Sequence, residues 1–266
     1  MRRHFVHFLW GSLLAILGLV FVFFISVWNG WIGYMPDMDE LSNPIDKFAS
    51  QVYSSDQQLI GTWNADNNNR VAIDYNGLSP HLVHALVATE DERFYEHSGV
   101  DFIALGRAVV KRGVMGQASA GGGSTITQQL AKQLFSEKAH STIERLLQKP
   151  IEWIIAVKLE RYFTKEEILA MYFNYFDFLH NAVGIKRAAN VYFNKEPRKL
   201  TVTESAMLVG LCKNPSMFNP LRHPERCLQR RNVVLMQMVK SGYVTKDEYK
   251  ELSQRPLGLH FTRSKP

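Results

Sequence analysis

The sequence predicts a mainly α-helical domain preceded by one transmembrane helix, and three observations predict it. No Asp, Glu, Lys or Arg occurs between Arg3 and Asp37, and the apolar run from Phe5 to Trp28 is long enough to cross a hydrocarbon layer of about 30 Å. From Ser79 onward, cap-forming side chains recur at helical distances: Ser79-Pro80, Asp101, Thr164, Thr201 and Thr245. The last three are followed three residues on by Glu167, Glu204 and Glu248, the capping-box spacing. Strand-like alternation is short, from Phe48 to Trp63.

Arg2 and Arg3 precede the apolar run without acidic company, so the positive-inside rule places the N-terminus in the cytoplasm and the chain after Trp31 outside. Trp28, Trp31 and Tyr34 then fall at the outer interface. The rival, a cleaved signal peptide, usually has a shorter apolar core followed by small residues, whereas bulky aromatics follow here. Residues 1–36 are read as a short cytoplasmic tail and anchor. Residues 37–75 follow as a linker and short β hairpin region, with a turn near Ser55-Asp56 and a polar loop from Asn64 to Asn69. Residues 76–255 form the helical domain, and 256–266 a C-terminal tail. At 266 residues, with ordinary apolar and charged fractions, the chain can bury one good core and is not a disordered protein. Its net charge of +6 suits work against anionic lipid or a diphosphate, and is also a common value for a solvated surface.

Gly122 to Lys132 joins a glycine-rich loop to a helix start. Thr125 with Gln128 has capping-box spacing; Gln128, Lys132 and Phe135 recur on one side, while Ile126, Leu130 and Leu134 fall on another that can bury. A helix N-terminus favours anions, and a mobile glycine loop before it can admit a ligand and fold over it. A polar linker ahead of a capped helix has the same composition, so this segment alone leaves both readings open.

Upstream, Ala88 to Asp101 reads Ala-Thr-Glu-Asp-Glu-Arg-Phe-Tyr-Glu-His-Ser-Gly-Val-Asp. Together the two segments resemble the signature of the peptidoglycan glycosyltransferases, which polymerise the lipid-linked disaccharide-peptide lipid II into glycan strands. The resemblance continues through Gln148-Lys149-Pro150-Ile151-Glu152, Lys165 to Asn174 and Gly184 to Lys195, in the family's order, and covers roughly residues 50 to 250. It implies a lysozyme-like larger lobe beside a small membrane-proximal lobe. Glu90, the first acidic residue of the Glu-Asp-x-x-Phe-x-x-His-x-Gly motif, is the implied catalytic base, and Glu152 the implied assisting carboxylate at the diphosphate side. The implied binders of diphosphate and sugars are Ser124, Thr125, Gln128, Gln129, Lys132, Arg145 and Lys149. Asp91, Phe94, His97, Gly99, Gly123, Lys165, Asn174, Gly184, Tyr192 and Phe193 match motif positions that shape the fold or the groove.

Forming a glycosidic bond from a sugar diphosphate needs a base for the acceptor hydroxyl's proton and positive charge for the leaving diphosphate. Glu90 falls near the end of the helix opened by Pro80, where the negative pole of the macrodipole opposes ionisation. Without its motif, Glu90-Asp91-Glu92 would read as a solvated acidic cluster. Glu152 also has a plain reading: with Pro150 opening a helix it falls in the first turn, where a carboxylate gains a few tenths to about 1 kcal/mol. Three positions depart from the family's pattern: Gln148 where arginine is usual, Ala170 where glutamate is common, and Leu179 where glycine is common. Arg145, Lys149 and Lys132 can supply the charge that Gln148 lacks.

The resemblance implies undecaprenyl diphosphate as the leaving group and no obligatory cofactor, with room for a divalent cation, Mg or Mn, at the diphosphate. The implied partners are lipid II and the growing strand, the cytoplasmic membrane, and transpeptidase, divisome or elongasome proteins. No nucleic-acid partner, zinc spacing, nucleotide phosphate loop or serine nucleophile emerges. Cys212 and Cys227 lack metal-ligand company and redox spacing; a disulfide is open to them outside the cytoplasm, and two unpaired structural thiols is the simpler reading. Arg222 to Arg226 and Gly242 to Thr245 resemble the run before the transpeptidase domain of class A penicillin-binding proteins, so a monofunctional relative and a truncated one both fit. Two rival functions stand beside this one. A glycan-cleaving lysozyme-like enzyme would not need the cationic row Lys132, Arg145 and Lys149, and a catalytically weak or silent lipid II-binding scaffold is kept open by the three departures.

Overall fold

The computed structural model describes residues 2–37, 41, 50–53, 56, 59–63, 71–113, 123–135 and 142–262. Helix α1 (Arg2–Trp28) contains the charge-free run; its most apolar stretch reaches a mean hydropathy of 2.6 with 0% of it buried. Strands β1 (Ser50–Tyr53) and β2 (Leu59–Trp63) pair antiparallel, Ser50 opposite Trp63 and Val52 opposite Gly61, with an irregularity between Val52 and Tyr53. Ser55 and the polar loop from Asn64 to Asn69 lie outside the described residues. The helical domain follows as α2 (Pro80–Glu90), α3 (Phe102–Gly113), α4 (Ile126–Phe135), α5 (Thr142–Tyr162) and α6 (Lys165–Tyr175). It continues as α7 (Ile185–Phe193), α8 (Val202–Lys213), α9 (Pro224–Lys240) and α10 (Lys246–Gln254).

The caps explain where these helices begin. Thr164, Thr201 and Thr245 each accept the N–H three residues on, while Glu167, Glu204 and Glu248 reach back to the cap backbone. Asp101 Oδ1 accepts the N–H groups of Ile103 and Ala104, both at 2.9 Å, at the start of α3. Ser79 differs: its hydroxyl donates to the Leu200 carbonyl at 2.9 Å, and Pro80 alone presets the start of α2. Thr201→Ala should therefore lower stability by about 1 kcal/mol, seen as a fall of roughly 2–4 °C in the thermal midpoint.

Pro150 does not open a helix. Helix α5 begins at Thr142 and runs through it, so Glu152 lies in mid-helix and the first-turn dipole argument lapses. An interior proline forfeits one backbone bond and costs about 3 kcal/mol. Burial of Ile154, Ile155, Ala156 and Leu159 on the same helix offsets that loss, at about 1.5–3 kcal/mol for each large side chain.

Helices α6 and α8 run through the centre: every residue from Ile168 to Tyr175 and from Glu204 to Leu211 is buried, as for helices covered on all sides. Helices α2 and α9 pack on α8 and on each other, and α4 packs on α5 and α6. Arg231 is fully buried and pinned by the end of α10. It donates to the carbonyls of Leu252, Ser253, Arg255 and Pro256 and to Asn232 Oδ1, so its guanidinium is satisfied without a carboxylate. The segment read as a tail then lies along α7, with the His260 and Thr262 N–H groups donating to Tyr192 and Val191 carbonyls at 2.9 Å.

Cys212 and Cys227 are free. Burial pushes the Cys212 thiol well up, and the Cys227 thiol up to about 12, so both stay protonated. Leu179, with φ 67°, opens a run of left-handed residues continued by His180 and Asn181. A glycine would spare the roughly 1–2 kcal/mol that a side chain costs in that conformation. Ala170 is buried, where an unpaired glutamate would be costly.

Candidate active site

Glu90 is the last residue of α2, and the chain leaves that helix into a loop locked from several sides. The buried Asp91 carboxylate accepts the Ile126 N–H at 3.0 Å, placing negative charge at the start of α4, and lies 3.0 Å from His97 Nε2 through both oxygens. Phe94 is fully buried, with Lys165 Nζ 4.3 Å over its ring. Lys165 also donates to the His97 carbonyl at 2.7 Å and pairs with Glu160 at 2.6 Å. Gly99 has φ 93°, and a β-carbon there would lie 2.7 Å from the Ala156 carbonyl carbon of α5. Only glycine lets the loop lie so close. Its carbonyl accepts from Thr125 Oγ1 at 2.7 Å and Gln128 Nε2 at 3.3 Å, so loop and α4 form one unit.

Thr125 accepts the Gln128 N–H at 3.1 Å, one half of the capping box its spacing predicts; the reciprocal half is missing, since Gln128 Oε1 has no partner among the described residues. Gln128, Lys132 and Phe135 share one side of α4, as their spacing predicts, but not one environment. Gln128 is 1% exposed and turned to Gly99, a buried acceptor that needs a donor, whereas Lys132 is exposed and Phe135 half-buried. Gln129 is the residue that reaches the candidate base. Its Nε2 donates to Glu90 Oε2 at 2.9 Å, and its Oε1 accepts from Tyr172 Oη at 2.9 Å. Burial pushes the Tyr172 phenol well above its ordinary range, so it remains a donor and fixes which end of the amide faces Glu90.

Arg230 of α9 closes the other side. Its Nη2 lies 3.4 Å from Glu90 Oε1, and its guanidinium carbon lies 5.9 Å from the Phe218 ring centroid. Burial lowers the Arg230 pKa, with the Glu90 charge acting the opposite way, and a guanidinium keeps its proton under both. The Glu90 side chain is 17% exposed, with each oxygen facing a donor.

That exposed part opens on a cleft of about 240 Å³ lined by Glu90, Glu92, Arg93, Arg107, Ser124 and Gln237 among others. Arg93 is engaged by Glu96 at 2.8 Å and Asp101 at 3.3 Å, whereas Arg107 is exposed. Gly123 lies against α3, where a β-carbon would meet Leu105 and Ala108 at 3.5 Å. Ser124 Oγ accepts from Lys149 Nζ at 3.2 Å, and Lys149 pairs with the buried Glu152 at 2.6 Å. The Lys149–Glu152 pair therefore reaches the cleft through Ser124. Arg145 lies on α5 with its side chain outside the described residues.

No group of three carboxylate, imidazole or thiolate side chains able to hold a metal converges among the described residues. Glu152 already faces an ammonium, so a divalent cation would take most of its ligands from substrate and water. Four of the motif residues make up the frame. The Asn174 amide pairs with both backbone groups of Ile73, donating at 2.8 Å and accepting at 3.2 Å. Gly184, with φ 82°, would bring a β-carbon to 2.8 Å from the Asn174 carbonyl oxygen. Tyr192 donates to the Phe178 carbonyl at 2.6 Å, and Phe193 is buried.

Sequence reasoning missed Arg230, Tyr172 and Arg107. For Arg230 a signal exists: Cys227, Arg230, Arg231, Val234, Leu235 and Met238 form the buried stripe of α9, and charges inside an apolar stripe demand a partner.

The model of the Transglycosylase family matches residues 56–239. Penicillin-binding protein 1A of Aquifex aeolicus (strain VF5) is 39% identical over 248 residues, covering 93% of this chain and 32% of that protein. Penicillin-binding protein 1F of Bacillus subtilis (strain 168) is 42% identical over 192 residues, covering 72% of this chain and 26% of that protein. A solved structure of penicillin-binding protein 1A from Haemophilus influenzae aligns with 81% of this chain and 22% of that one, at 21% identity and a TM-score of 0.41. The chain spans about a third or less of the length of these relatives. Since the family match takes in the loop after Glu90, the glycine loop before α4 and the Lys149–Glu152 pair, this chain belongs to the Transglycosylase family.

Proposed function

We propose that this chain is a peptidoglycan glycosyltransferase that polymerises lipid II, with Glu90 as its base. The observation that carries the reading is the Glu90 carboxylate, held between Gln129 and Arg230 on the wall of a cleft that also holds Ser124 and, through it, Lys149. Glu90 takes the proton of the 4-hydroxyl of the acceptor's N-acetylglucosamine as that oxygen attacks the anomeric carbon of the donor's N-acetylmuramic acid. The carbon–phosphate oxygen bond breaks on the opposite side, the configuration inverts, and undecaprenyl diphosphate leaves with the electron pair. Arg107, which lines the cleft, and Lys149, which reaches it through Ser124, support the binding of its charge, and Lys132 keeps the role that the resemblance implies. Helix α1 serves as the anchor, with the N-terminus in the cytoplasm and the helical domain on the outer face, in the plane where a lipid substrate diffuses.

Arg230 acts as a positioning residue in this scheme. Arg230→Met should leave KM within a small factor and lower kcat by up to about a hundredfold, the scale of a misplaced reacting group. Separate kcat and KM values on labelled lipid II, with Arg230→Lys as a partial rescue, check it. The function itself is tested by incubating the purified chain with labelled lipid II in detergent and sizing products on a gel. Long strands are the expected result; lipid II bound without polymer would point to the scaffold.

A further inference from the structure

Two cations meet the end of α1 at one level. Trp28 is the last residue of that helix and is followed by the exposed Trp31 and Tyr34, the side chains that mark the water boundary of a spanning helix. The Lys158 ammonium lies 5.0 Å from the Trp28 ring centroid and the Arg161 guanidinium carbon 5.4 Å from it. Three positions apart on α5, they share a face. No carboxylate pairs with either among the described residues, and neighbouring Glu160 is taken by Lys165 and Thr127, both at 2.6 Å. Lys158 is also half-buried, and burial lowers its pKa, a loss that an adjacent anion would offset.

We propose that Trp28, Lys158 and Arg161 form a site for the phosphate of an anionic phospholipid in the leaflet at the C-terminal end of α1, an inference that rests on reading α1 as the anchor. The ammonium and guanidinium take the phosphodiester oxygens, and the indole lies at the glycerol level. A substrate diphosphate offers similar chemistry, but neither cation lines the cleft, so the bilayer lipid is the source assigned. The consequence is mechanical. Glu152 stands six positions before Lys158 on α5, about 9 Å along the helix axis, and Lys149 about 14 Å. A phospholipid held at Lys158 fixes the height of the Lys149–Glu152 pair above the leaflet from which a lipid diphosphate emerges.

The full chain, reconstituted in nanodiscs of equal phosphatidylglycerol and phosphatidylcholine, is analysed by native mass spectrometry for the lipids it retains. We expect retention of phosphatidylglycerol over phosphatidylcholine by roughly 25-fold, falling about fivefold in each of Lys158→Gln and Arg161→Gln and kept in Lys158→Arg. Each variant is compared at an unchanged thermal midpoint, and if one of the two glutamine variants is unstable the other suffices. Absence of selectivity in the parent, or selectivity that survives both substitutions, overturns the site. Displacement of phosphatidylglycerol by equimolar undecaprenyl diphosphate also overturns it, assigning these cations to the lipid diphosphate of the reaction. Release of the chain from vesicles by alkaline carbonate would remove the anchor reading and the site with it, whereas retention without selectivity removes the site alone.

Discussion

Glu90→Gln is expected to abolish lipid II polymerisation, with a rate loss on the order of 10²–10⁴, the range for removing a general base. The substitution keeps the shape of the side chain and one of its two contacts, since a glutamine oxygen still accepts from Gln129 Nε2. What it removes is the charge facing Arg230. A guanidinium left against a neutral amide should cost about 1–3 kcal/mol, so the variant melts somewhat lower while remaining folded at assay temperature. Gel-sized products and thermal midpoints, taken side by side, separate lost chemistry from lost fold. Strands made at the parental rate by a Glu90→Gln chain would end the case for Glu90 as the base. A parent without activity would instead bear on the function as a whole.

What could be read in advance divides by distance along the chain. Thr164, Thr201 and Thr245 were legible because cap and glutamate sit three positions apart, and that geometry is closed by the backbone itself. The setting of Glu90 was not, because Gln129 lies 39 residues away and Arg230 lies 140 away. Periodicity groups residues of α4 into faces but does not say which face turns inward. The Gly99 carbonyl decides that by drawing in Gln128, which leaves Gln129 to meet Glu90. Pro150 is the opposite failure, a sound local rule overridden by tertiary packing, since burial along α5 outweighs the bond that proline gives up. Glu152 thereby gains a more specific setting, a buried carboxylate paired with a lysine that reaches the cleft through Ser124.

The same dependence on a distant contact makes Gly99→Ala the substitution with the largest expected effect on stability. A β-carbon at this residue would meet the Ala156 carbon, the Ala156 oxygen and the Val157 nitrogen at 2.7, 2.8 and 2.8 Å, all backbone atoms of α5 that cannot rotate aside. A left-handed alanine costs about 1–2 kcal/mol and forced overpacking about 1–3 more, so a total near 4 kcal/mol is expected. At about 2–4 °C per kcal/mol, the thermal midpoint should fall by roughly 10 °C. Gly242→Ala isolates the two contributions, because Gly242 has φ 77° yet its β-carbon would meet nothing within 4 Å. That variant should lose only the conformational part, and equal losses at both positions would show that the close approach to α5 is not what Gly99 serves. Gly99→Ala should also lose activity below its melting range. Lifting the loop from α5 carries the Gly99 carbonyl away from Thr125 and Gln128, loosens the Asp91 contact with Ile126, and frees α4 to shift Gln129 off Glu90. Gly242, outside this chain of contacts, should keep its turnover while melting lower, so the pair of variants reads stability and positioning separately.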